Sequence, residues 1–92
     1  MKKAGIAVLV SGGGTNLQAL IKAQNKGILK SGEIKLVISN NKNAYALRRA
    51  QKVGIKTAVV LKKDCSGTED FERKIAGILT ENKIDLIVLA GF

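Results

Sequence analysis

Apolar residues fall in four short unbroken runs separated by stretches in which they recur at helical spacing. Gly5–Val10 (GIAVLV) is the first run, and its lack of alternation predicts a strand covered on both faces, as in a parallel sheet. Leu17, Leu20 and Ile21 follow at i, i+3 and i+4, which predicts a helix from near Thr15 that Gly27 ends or lies just beyond. Ile34–Ser39 (IKLVIS) is the second strand, and Ala44, Leu47, Ala50 and Val53 mark a second helix stopped by Gly54 at its C′ position. Thr57–Leu61 (TAVVL) is a third strand, followed by a polar loop over residues 62–67. Ser66 and Glu69 fit a capping box for a third helix whose apolar face is Phe71, Ile75, Ile78 and Leu79. Asp85 then introduces Leu86–Ala90 (LIVLA), the fourth strand.

The β-α-β-α-β-α-β order contains no proline, linker or low-complexity segment, and 92 residues suffice for one domain. Right-handed crossovers make this an α/β, Rossmann-like doubly wound parallel sheet with strand order 3-2-1-4. Ligands of such sheets sit beyond the carboxyl ends of the strands, at the switch point beside strand 1. Gly12, Gly13 and Gly14 occupy that place, directly ahead of the first helix. Unpaired N–H groups at a helix start carry the positive end of the helix dipole, and glycine lets anion oxygens approach without a Cβ in the way. The same glycines also suit a sharp strand-to-helix corner.

Two phosphate motifs fail on spacing. A P-loop requires Lys directly after its last glycine, and Lys22, the first lysine after the turn, is out of register. The dinucleotide fingerprint finds Gly12 and Gly14 but Leu17 at its third position, and Ser39, Asn40 and Asn41 stand where its ribose-binding acid belongs. A monophosphate remains, to which Thr15 and Asn16 offer a hydroxyl and an amide in addition to any N-capping role.

The chain is 46% apolar and 25% charged, so it can bury a core. Its formal net charge of +9 favours anionic partners, although the basic residues are spread along the sequence as on an ordinary solvated surface. Single-strand nucleic-acid binding is disfavoured because Tyr45, Phe71 and Phe92 are the only aromatics, and no groove-reading motif is present, so no specific nucleic-acid partner is expected. The single cysteine, Cys65, excludes an internal disulfide, and with no histidine the usual zinc sites are excluded too. No run approaches the ~20 apolar residues that span a bilayer, and no signal peptide is recognisable, so a cytoplasmic protein without a membrane partner is expected.

Four stretches, "VLVSGGGTNLQAL", "VISNNKNAYALRRAQKVGI", "DFERKIAGIL" and "DLIVLAGF", carry a resemblance to the phosphoribosylglycinamide formyltransferases of purine biosynthesis, in that family's order and spacing. The resemblance implies transfer of a formyl group from 10-formyltetrahydrofolate to the glycine-derived amine of 5-phosphoribosylglycinamide, without a metal. It implies that Gly14, Thr15 and Asn16, with Gly12 and Gly13, hold the substrate's 5′-phosphate. It also implies that Ala90, Gly91 and Phe92 border the substrate and folate cleft. Family enzymes are about twice as long and continue after "LAGF" with a folate segment and then a catalytic asparagine, histidine and aspartate. The resemblance therefore makes this chain the N-terminal, phosphate-binding half, truncated or completed by a second polypeptide, with no catalytic residue of its own. A family arginine beside the folate corresponds here to Thr68.

Asp64, Asp70 and Asp85 have simpler roles as loop, helix-start and strand-start residues, and Cys65 has no histidine to activate it. The alternative from another class is a stand-alone, non-catalytic phosphate- or nucleotide-binding module; Arg48 and Arg49 leave room there for a 2′-phosphate, as in NADP. An interior strand left at a sheet edge, Leu86–Ala90, is expected to drive self-association or poor solubility.

Overall fold

The structure, a computed structural model, describes residues 4–11, 15–25 and 32–90. Four strands, β1 (Ala4–Val10), β2 (Gly32–Ser39), β3 (Lys56–Val59) and β4 (Leu86–Leu89), alternate with three helices, α1 (Thr15–Asn25), α2 (Tyr45–Lys52) and α3 (Thr68–Glu81). A short 3-10 turn, Lys62–Asp64, precedes α3. Every strand pair is parallel and the sheet order is β3-β2-β1-β4, as the hydrophobic pattern predicts.

Alternate residues of β1 feed two separate cores. Ile6, Val8 and Val10 pack with Leu17 and Ile21 of α1 and with Ala46, Leu47 and Ala50 of α2. Ala7 and Leu9 pack on the other face with Phe71 and Ile75 of α3. In β2, Ile34 joins the first core and Leu36 the second, although residues two apart in a regular strand share a face. A register shift between Ile6 and Ala7 resolves this: Ile6 pairs with Ile34 but Ala7 with Leu36, so Lys35 is the extra residue of a bulge.

Local signals set the helix ends. Gly54 has φ of 80°, its N–H donates to the Gln51 carbonyl, and the Ile55 N–H donates to the Ala50 carbonyl. This is a Schellman C-cap, in which the left-handed residue is the glycine predicted for that place. The start of α3 differs from expectation by one residue. Gly67, not Ser66, is the N-cap, and Asp70 Oδ2, not Glu69, accepts the back-bond, from the Ser66 N–H at 3.1 Å. Asp70 is three residues past the true cap, the position from which a carboxylate reaches back, and it also lies 3.7 Å from Lys74.

Gly77 sits inside α3 with nothing within 4 Å of where a Cβ would stand. Gly77→Ala should therefore stabilise the fold by about 0.8–1 kcal/mol, because only the backbone entropy of the unfolded chain changes. Thermal unfolding followed by circular dichroism should show Tm higher by about 4–8 °C. An unchanged or lower Tm would show that the exposed face of α3 is packed.

Candidate functional site

β1 lies between strands reached by opposite turns of the chain, which places the switch point between the carboxyl ends of β1 and β4. Ser11 follows β1 there, α1 opens at Thr15, and the Ala90 N–H donates to the Leu9 carbonyl at 2.9 Å, holding the end of β4 beside β1. Thr15 and Asn16 are thus the first two residues of the helix whose amino end faces the switch point. Their side chains, and all of Gly12, Gly13, Gly14 and Gly91, lie outside the described residues.

Beyond β2 the polar run Ser39–Asn40–Asn41 builds the neighbouring rim. Ser39 is fully buried, and its hydroxyl both donates to the Asn41 carbonyl and accepts from the Asn41 N–H, each at 3.0 Å. Asn41 Oδ1 accepts the Asn43 N–H at 3.0 Å, while its amide nitrogen makes a longer 3.5 Å contact to the Ser11 carbonyl. The residues that replace a ribose-binding acid are therefore a folded turn that leans on the start of the glycine segment. In the sequence these positions stand out only for lacking an acid. The signal available in the sequence is the Ser-Asn-Asn run itself, whose side chains bond to their own backbone in turns.

On the α3 side, Leu9, Leu89, Phe71, Ile75 and Leu79 floor a cleft of about 390 Å³, with Asn40, Lys62, Thr68 and Glu72 also in its wall. Lys62 Nζ stands 5.5 Å from the centroid of the Phe71 ring. The cleft offers an apolar floor with a few polar groups and one cation, a composition suited to a flat organic ligand with an anionic end.

The other chemical candidates have structural work. Asp85 Oδ2 accepts the Gly5 N–H, and the Asp85 N–H donates to the Gly5 carbonyl, both at 2.8 Å. That pair fixes β4 against β1 at the amino ends of the strands, far from the switch point; a Cβ on Gly5 would come within 3.0 Å of the Lys83 carbonyl oxygen. The Asp70 carboxylate is occupied at the start of α3, and Asp64 lies in the exposed 3-10 turn, where its backbone carbonyl accepts from Lys74 Nζ at 3.0 Å. Cys65 is half-buried, with Sγ donating to the Leu61 carbonyl at 3.3 Å. Among the described residues no group of His, Cys, Asp or Glu could hold a metal ion, and no helix is long and apolar enough to cross a membrane.

Comparison with known proteins agrees with this geometry. The chain is 46% identical over 92 residues to phosphoribosylglycinamide formyltransferase of Haemophilus influenzae, covering all of this chain and 42% of that protein. It is 42% identical over 91 residues to the human trifunctional purine biosynthetic protein adenosine-3, covering 99% of this chain and 9% of that one. Among solved structures, phosphoribosylglycinamide formyltransferase from Coxiella burnetii superposes with a TM-score of 0.91 at 43% identity, over 99% of this chain and 42% of that one. Glycinamide ribonucleotide transformylase 1 from Geobacillus kaustophilus gives 0.94 at 32% identity, over 99% and 48%. The chain thus spans less than half the length of these relatives. The formyl transferase family model matches residues 4–92, strands, rim and helices together, and on that match the chain belongs to the formyl transferase family.

Proposed function

We propose that this chain supplies the ribose-phosphate-binding half of a phosphoribosylglycinamide formyltransferase. In that reaction the glycine-derived amine of 5-phosphoribosylglycinamide takes the formyl group of 10-formyltetrahydrofolate. The observation that carries the proposal is the placement of the α1 amino end at the switch point of a β3-β2-β1-β4 sheet, directly after a three-glycine turn. Gly12, Gly13, Gly14, Thr15 and Asn16 would hold the 5′-phosphate through backbone N–H groups and the helix dipole, and Gly91 would border the amine. The folate donor would enter from the α3 side, where the apolar floor beside Leu89 suits its ring system and Lys62 its acidic tail.

Amine attack on a formyl carbon needs a donor for the developing oxyanion and a group that moves protons near neutral pH. The sequence contains no histidine, and Asp70 and Asp85 are committed to backbone hydrogen bonds. The reacting groups would come from sequence matching the remaining part of the relatives. The β4 edge is the proposed place for it: Leu86, Ile87 and Leu89 are exposed on a strand paired, among the described residues, only with β1. In the 92-residue chain alone the same edge would favour self-association.

Turnover assays test this directly. The purified chain should give no formyl transfer, whereas its fusion to the segment of the Haemophilus influenzae relative that follows the matched region should transfer formyl to 5-phosphoribosylglycinamide. Turnover by the 92 residues alone would overturn the assignment of the reacting groups, and a folded but inactive fusion would count against the whole reading.

A further inference from the structure

Charge is divided along this chain in a way that its scattered lysines conceal. Residues 1–63 carry thirteen of the sixteen Lys and Arg residues and a single acid, Glu33, whereas residues 64–92 carry the other six acids. Neither α1 nor α2 contains an Asp or Glu, so the helical layer they form presents cations with no carboxylate of its own. Between these two helices lies a recess of about 360 Å³ walled by Gln18, Tyr45, Arg48, Arg49, Lys52 and Val53.

The recess has an ordered frame. Arg49 Nη1 donates to Gln18 Oε1 at 3.0 Å, tying α2 to α1, and the same guanidinium stands 4.9 Å from the centroid of the Tyr45 ring. Tyr45 is nevertheless 54% exposed, an unusual position for an aromatic ring on a soluble surface. Arg48 and Lys52 are exposed and four apart on α2, so their like charges repel along one helix face. The helix dipole favours Lys52 near the carboxyl end of α2 but disfavours Arg48, which stands about one turn from the acid-free amino end. A multiply charged anion seated in the recess would relieve that repulsion and meet two cations at once.

We propose that the recess between α1 and α2 is a second anion site, which takes the phosphate chain of a di- or triphosphate, either free or carried by a nucleoside whose base would meet Tyr45. The site lies on the outer surface of the α1/α2 layer and does not depend on how the glycine turn is used. Arg48 and Lys52 hold the phosphates, Arg49 fixes Tyr45 and adds a third charge, and Gln18 anchors Arg49.

Isothermal titration at fixed ionic strength with tripolyphosphate and with ATP tests the assignment. Both should bind at one site per chain, and Arg48→Gln/Lys52→Gln should weaken tripolyphosphate by about tenfold or more, the scale of a lost pair of charge-assisted hydrogen bonds. The charge-matched control Lys63→Gln/Arg73→Gln should change it by less than about twofold, since Lys63 and Arg73 are exposed on the 3-10 turn and α3, and α3 packs on the sheet face opposite α1 and α2. Tripolyphosphate should bind as well in the presence of saturating 5-phosphoribosylglycinamide as in its absence, which separates this site from the glycine turn. Tyr45→Leu weakening ATP but not tripolyphosphate would place a nucleoside on the ring; with the Arg48/Lys52 loss in place, a Tyr45→Leu protein that binds both ligands as the parent does would assign the free phosphate chain. No saturable binding of either probe, or equal losses in the two double variants, would overturn the proposal.

Discussion

Leu36→Ala is expected to destabilise the chain by about 3–5 kcal/mol, the upper part of the range for truncating a buried leucine. Leu36 is fully buried in β2 and packs into the core on the α3 face. The bulge at Lys35 is what turns Leu36 toward that core, so its methyl groups are surrounded by sheet and helix atoms rather than by mobile surface. A domain of this length has about 5–14 kcal/mol of stability in total, so the substitution should remove a large share of it. Urea unfolding should show the midpoint falling by about 2 M with an unchanged slope. A loss below about 1 kcal/mol would mean that the second core is not packed around β2.

The other large effect concerns the edge strand. Ile87 and Leu89 point to the α3 face of the sheet and are 47% and 70% exposed, while Leu86, on the opposite face, is 52% exposed. A parallel-sheet strand with apolar side chains exposed on both faces, and paired among the described residues along one side only, is a template for another chain. The 92-residue protein should therefore self-associate at high concentration despite its +9 charge. Ile87→Lys/Leu89→Lys should convert it to a monomer, because each lysine replaces about 1–3 kcal/mol of available apolar burial with charge repulsion. Sedimentation equilibrium across a hundredfold concentration range checks this. A wild-type chain that stays monomeric throughout would remove the edge from the account, and a double variant that associates equally would place the contact elsewhere.

The features legible in the sequence were those with strong local chemistry. GIAVLV has no polar alternation, so it had to be covered on both faces, which points to a parallel sheet, and the alternation of strands and helices with right-handed crossovers then leads to its order. Gly54 could be placed because a left-handed C-cap selects glycine. Features that depend on comparing two segments were hidden. The Lys35 bulge is invisible in IKLVIS, since a run with apolar residues on both faces looks the same in either register. The α3 cap shifted by one residue because Ser66 and Asp70 offered nearly the same pattern as Ser66 and Glu69. Arg48, Arg49 and Lys52 resemble an ordinary solvated helix face until Gln18, 31 positions away from Arg49, is brought beside them. The wall of the α3 cleft likewise joins Leu9, Asn40, Lys62 and Leu89 from four separate segments.

In the proposed function the amino end of α1 grips a sugar phosphate. Phosphorus NMR of 5-phosphoribosylglycinamide titrated with the chain measures that contact at the reporting atom. Expected are a saturable shift of the phosphate resonance, affinity above that of inorganic phosphate, and a loss of about tenfold or more in Gly14→Val, whose side chain would hold the oxygens away from the backbone N–H groups. Binding no tighter than inorganic phosphate, or a Gly14→Val protein that remains folded and binds as well as the parent, would contradict it.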